Sequence, residues 1–348
     1  MSLARFSPDA AALLQLLGIN LVLTSYTAGR VFVFGSQQGS ESIVQSGFRI
    51  KKAAGIAKKG DLLAIAGDNG VVVFRYDSRL SHPQNSEVYR SVFYPVRDFK
   101  TYHLNLHDLA FTTQGLVGVC TGQNCLGQID NAEYLQFRSI WQPNFIGDVR
   151  FTDCCHLNGM ATDEQGQIRY VTAFSQSNSS ESWRQNAGLE TGVVIDVQTQ
   201  VPVVSGLSMP HSPRWYQGRL YYLNSAAEQF CCFDPATGLS KVLLQAEGFL
   251  RGMDFYQHYA FVGVSRLRKT SSFGFLPIAN RVIKPGFIIV DLLKQEIVGD
   301  VLLPDGVDEV FDLKVLTEPG PANLYDPDRP DAVQACIADQ GAVWFKNQ

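Results

Sequence analysis

Apolar residues in this chain come in short runs, broken by polar, Gly-rich turns. Leu62-Leu63-Ala64-Ile65-Ala66, Leu116-Val117-Gly118-Val119-Cys120, Leu220-Tyr221-Tyr222-Leu223 and Ala260-Phe261-Val262-Gly263-Val264 are the clearest. Their length and their β-branched and aromatic content predict strands. A second set ends in Asp and a turn: Val193-Val194-Ile195-Asp196, Cys231-Cys232-Phe233-Asp234-Pro235 and Ile288-Ile289-Val290-Asp291. Weaker strands such as Val201-Pro202-Val203-Val204 follow. One segment breaks the pattern. Ser7-Pro8-Asp9 places an N-cap and a first-turn proline ahead of Leu13, Leu14 and Leu17, which predicts a short helix over 7–17.

The strand sets repeat. Each opens on a similar triplet, at Gly55, Asp108, Gly159, Pro213, Gly252 and Asp312, with spacings of 53, 51, 54, 39 and 60 residues. Four strands per unit at this period predict an all-β chain folded as a β-propeller, one domain over 1–348. The N-terminal set lacks a first strand, and 310–315 is a first strand without a following set. The C-terminal strand is therefore expected to complete the N-terminal blade, closing the ring and removing its open edges. That count gives six blades, or seven if the apolar tail 332–344 adds strands of its own. Two loops exceed what the repeat needs, 174–191 and 266–285, both between second and third strands and so on one rim.

Strand alternation then sorts the residues before each triplet. Two positions ahead lie mostly packing residues: Ala53, Leu106, Leu157, His211, Leu250 and Val310. One and three positions ahead lie His107, Asn158, Arg251, His156 and Glu309, a polar face expected to line the central channel. The two prolines around it, Pro210 and Pro213, are expected to shift the register and bring His211 to that face. The candidate ligand set is His107, Asp108, His156, Asn158, His211, Arg214, Arg251, Arg266 and Glu309.

Composition narrows the chemistry. The net charge of −4 excludes the broad basic surface that nucleic-acid binding needs. Seven cysteines, two pairs of them adjacent and none in a CxxC spacing, read as buried reduced thiols of a cytoplasmic protein. No stretch is long enough to span a membrane. Nucleophilic catalysis has no support, since no GxSxG is present and Ser208, Ser212 and Cys155 do not share a face with a neighbouring His.

The runs His107-Asp108-Leu109-Ala110, 155–161, 206–215, 251–255, 259–265, 273–279 and 309–312 resemble a family of bacterial conserved hypothetical proteins, a domain of unknown function. Some of its relatives carry a tetratricopeptide-repeat label. The resemblance spans roughly 15–316, and 208–215 is its most specific part. The chain departs from it at Asn105, where an acidic residue is expected, and at Phe275, where Gly is expected. The resemblance implies a domain identity and no activity.

Three functions fit these residues. The first is a small-molecule site at the channel mouth, selective for an anion, because guanidinium pairs with carboxylate, sulfate and phosphate in a fork geometry. Arg251 and Arg214 would serve it, with Arg184, Arg266, Arg268, Lys269, Arg281 and Lys284 from the two loops. The second is a divalent metal held by His107, His156, His211 and Glu309, acting in a hydrolase or lyase. The third is a scaffold whose rim meets a protein partner.

Overall fold

The computed structural model describes residues 3–36, 42–147, 151–185, 190–267, 273–274 and 276–345. Six antiparallel four-stranded units form the ring. Blade 1 is Asp312–Leu316, Asn20–Ser25, Arg30–Ser36 and Ile43–Arg49, so the C-terminal strand closes the N-terminal blade. Blade 2 is Ile56–Lys59, Leu62–Ala66, Gly70–Tyr76 and Ser91–Lys100, and blade 3 is Leu106–Thr112, Gly115–Cys120, Cys125–Gln128 and Arg138–Trp141. Blade 4 is Leu157–Thr162, Ile168–Ala173, Gly192–Asp196 and Pro202–Leu207, and blade 5 is Pro210–Tyr216, Arg219–Asn224, Gln229–Asp234 and Leu239–Gln245. Blade 6 is Phe249–Tyr256, Tyr259–Ser265, Gly286–Asp291 and Glu296–Leu302.

The continuous apolar runs are second and third strands, and both of their faces are buried. Each blade packs a sheet face on either neighbour, so the apolar side chains gather into six clusters, one at each junction between blades. The outermost strands Ile43–Arg49 and Leu239–Gln245 have no fully buried residue, since they face water at the rim of their blades.

The termini act as straps. Ser7 caps the helix Pro8–Leu17 through Ala10 N–H, and Gly18 ends it in the left-handed region at φ 62°. Ser7 Oγ also accepts from Asp300 N, at 3.0 Å, which fixes the helix on blade 6 with Ala10 and Leu14 buried. Ala322–Leu324 adds a parallel edge to blade 2, and the hairpin Ala335–Ala338 with Gly341–Trp344 pairs only with itself. The tail therefore makes no seventh blade. The tetratricopeptide label has no counterpart either, since Pro8–Leu17 is the single α-helix among the described residues. No described helix is long and apolar enough to cross a membrane.

The opening triplets bring neighbouring inner strands unusually close. A Cβ on Gly55 would sit 2.6 Å from Asp108 Cα, and one on Gly252 would sit 2.8 Å from Asp312 Cα. Only glycine allows that approach. It seats two aspartates against the channel axis.

Candidate functional site

The inner strands that carry the candidate residues are not regular. In four inner strands one extra residue interrupts pairing with the second strand: between Leu106 and Leu109, Leu157 and Gly159, His211 and Arg214, and Leu250 and Met253. Such bulges re-aim side chains. They divide the candidate residues into two layers.

The upper layer is a cavity of about 260 Å³ at the channel mouth. His107, His156, His211, Arg251, Arg266 and Glu309 line it, joined by Arg184 and Trp183 from loop 174–191 and by Leu267 and Phe273 from loop 266–285. Its wall is a collar of rings. Tyr26 stacks on Phe311 at 5.6 Å, Phe311 lies 5.5 Å from His107, and His107 meets His156 edge-on at 4.9 Å. His156 packs on Trp183 at 4.1 Å and Phe174 at 4.4 Å, and Phe174 and Phe249 flank His211 at 5.1 and 5.4 Å. Two guanidiniums lie on this collar, Arg251 at 3.4 Å from the Phe311 centroid and Arg184 at 4.3 Å from the Trp183 centroid.

Each imidazole is oriented through Nδ1. His156 pairs with Asp153 Oδ2 at 2.6 Å, His107 with the Asn105 carbonyl at 3.0 Å, and His211 with the Met209 carbonyl and Ser225 Oγ at 3.0 and 2.9 Å. Burial, followed by the charge of Arg251, holds His211 well below the usual histidine range, so it is neutral near pH 7. Glu309 is buried and accepts from Thr27 N at 2.6 Å. Arg266 bonds Asp308 at 2.8 Å and the Ile283 carbonyl. Arg281 instead bonds Glu228. Arg268, Lys269 and Phe275 lie outside the described residues.

The lower layer is an ion triad with nothing left to offer. Arg214 bonds Asp108 at 2.8 and 3.3 Å and Asp312 at 3.0 Å, and it donates to the Met160, Pro213 and Met253 carbonyls. Asp108 accepts from Leu109 and Met160 N–H, and Asp312 from Leu313 and Ile56 N–H. These bonds join all six blades. Burial alone would depress the Arg214 guanidinium, but the two carboxylates outweigh it and hold it above its ordinary value. Burial pushes Asp108 up, Arg214 opposes that, and Asp312 adds to the rise. On its other side Arg214 borders a second pocket of about 290 Å³ at the opposite channel end.

Three candidate ligand residues thus have another place. Arg214 and Asp108 belong to the triad beneath the cavity, and Asn158 is buried between Thr172 Oγ1 at 2.9 Å and the His156 carbonyl at 3.2 Å. The metal set does not assemble either. Among the described residues no three His, Cys, Asp or Glu side chains converge on one point, because His107, His156 and His211 are spread around the collar. The cysteines form no disulfide, and only Cys336 is exposed. Burial, then Asp153, raises the Cys155 thiol, which leaves it protonated and inert.

Sequence reasoning passed over Asp153, Phe174, Trp183 and Tyr26. Asp153 carried a signal: Asp followed three residues later by His permits an Asx turn, and Asp153 Oδ1 accepts from His156 N at 2.8 Å. Trp183 carried only its presence in a long loop.

A ring of six four-stranded blades with a channel-mouth cavity defines a β-propeller. The chain belongs to the family described as Domain of unknown function (DUF4915), whose model matches residues 8–323. No curated protein matches it. Among solved structures it is similar to a chain of a nidogen/laminin complex, with TM-score 0.54 and 11% identity over 86% of this chain and 98% of that one. A protein of unknown function from Bacteroides caccae gives TM-score 0.52 and 8% identity, over 86% and 100%. Both likenesses concern the fold alone.

Proposed function

We propose that the channel mouth binds a small anionic molecule. The observation that carries this reading is the convergence of Arg184, Arg251 and Arg266 on one ring-walled cavity. Cations held against aromatic faces at a partly closed mouth are screened less than surface charges, which favours an anion there. The ion pairs of Arg184 with Glu181 and Arg266 with Asp308 are largely exposed and therefore weak, so a ligand can compete for both guanidiniums. His211 supplies polarity without charge.

A thermal-shift screen of carboxylates, sulfate and phosphate tests this. A ligand at a hundred times its Kd stabilises the fold by about 2.7 kcal/mol. Wild type should gain stability and Arg251→Ala should gain none. A flat wild-type screen overturns the reading and leaves a protein partner at the rim as the reading to test by pull-down.

A further inference from the structure

We propose that His82 is an acid-released latch, which fastens the C-terminal tail 331–344 onto the blade 2 loop 77–90. That loop joins Gly70–Tyr76 to Ser91–Lys100, away from the channel, and it is where the tail docks. Gln84 Nε2 donates to the Asp331 carbonyl at 2.8 Å and Arg79 to the Ala338 carbonyl at 3.0 Å. Trp344 Nε1 donates to the Ser81 carbonyl at 2.8 Å. All three bonds are exposed, so each contributes little by itself. They form together only while the loop keeps its shape.

His82 sets that shape. Its Nδ1 accepts from the backbone N–H groups of Gln84 and Asn85, at 3.2 and 2.9 Å. An Asn or Asp side chain takes donors from the same side in an Asx turn. Pro83, between His82 and Gln84, has no N–H to compete. An acceptor at Nδ1 puts the proton on Nε2, which meets the Asn323 side-chain amide at 3.2 Å. The ring is buried between Tyr89 and Tyr325, at 5.1 and 5.8 Å. A second proton does not fit there. At Nδ1 it would face two N–H donors, lose both hydrogen bonds and bury a charge with no acceptor. The imidazolium therefore requires an opened loop.

The surrounding charges do not rescue it. Arg30 and Arg49 of blade 1 and Asp326, Arg329 and Asp331 of the tail line a pocket of about 430 Å³ beside the ring. Three cations face two carboxylates there, and burial keeps the Tyr89 phenol neutral. Burial, then Arg329, holds His82 below the ordinary histidine value of 6.5. The latch is thus complete above about pH 6.5 and is lost as pH falls towards the folded pKa. The neighbouring strap is held differently. Ala322–Leu324 pairs with the start of Ser91–Lys100, and Asn20 Oδ1 accepts from the Ala322 N–H at 2.8 Å. It should stay in place when the tail leaves.

Hydrogen exchange on the full chain at about pH 7.5 and about pH 5.5, corrected for intrinsic exchange, tests the latch. Tail amides over 331–344 should lose about tenfold in protection at the lower pH, as one proton is taken up on opening. Amides of 322–324 should keep theirs. His82→Asn offers Oδ1 to the same two N–H groups without titrating, and its tail should be protected equally at both pH values. Asp331→Asn removes the carboxylate that Gln84 also meets, at 3.4 Å, and should leave the acid response intact. Equal tail protection in wild type at both pH values would overturn the latch. So would an undiminished acid response in His82→Asn, or a response abolished by Asp331→Asn. Loss of protection at 322–324 together with the tail would replace it with general acid unfolding.

Discussion

The two layers of the channel are made of the same residue types and do opposite things. Below, Arg214, Asp108 and Asp312 satisfy one another and the backbone of every blade. Above, Arg251, Arg184 and Arg266 lie against rings or exposed carboxylates around a cavity. The lesson is that a polar residue on an inner strand is a staple or a site according to what its hydrogen bonds are spent on. A guanidinium whose donors all end on protein holds blades together. One spread on an aromatic face, as Arg251 and Arg184 are, borders the open volume of the cavity.

Four substitutions would break or sharpen that contrast. Arg214→Met strands two buried carboxylates and should cost about 3–5 kcal/mol by urea unfolding. A loss below 1 kcal/mol would make the triad incidental. Gly55→Ala forces a Cβ against the Asp108 backbone and should cost about 1–3 kcal/mol, read from the same urea midpoints. In the upper layer, His211 titrates below its unfolded value near 6.5, so its share of stability is complete above pH 6.5 and is lost as pH falls towards the folded pKa. The slope should be about 1.4 kcal/mol per pH unit. Comparing wild type with His211→Gln isolates it from His82, which burial also depresses. Smallest is Arg251→Ala, which loses a stacked cation worth about 0.5–2 kcal/mol while abolishing the anion response. An Arg251→Ala penalty as large as that of Arg214→Met would erase the distinction between the layers.

The residue patterns made the architecture legible because each blade needs the same thing. Runs such as Leu62–Ala66 must bury both faces, and a strand missing at one end of the chain must come from the other. The site was legible in part. His107, His156, Arg251 and Glu309 are at the cavity, and His211 joins them where Ser212 takes a positive φ of 51° and the strand bulges. Arg214 and Asn158 were not separable from them, since a bulge of one residue leaves no mark that a period of two can register.

What the sequence alone determined is therefore the repeat, a count of six or seven blades from its spacing, the closure by the C-terminal strand and the capped helix. These depend on local periodicity and on pairing that every unit shares. Only the tertiary structure decided which polar residues pair across the ring. Asp108 and Arg214 are 106 positions apart, and their bond at 2.8 Å exists because the closed ring brings blades 3 and 5 together at its centre. Trp183 is decided the same way. Its ring becomes a wall of the channel through contacts with His156 and Phe273, residues of two different blades. That its N–H is buried without a hydrogen-bond partner among the described residues is likewise a property of the assembled collar, because satisfaction of a donor depends on everything within reach of it.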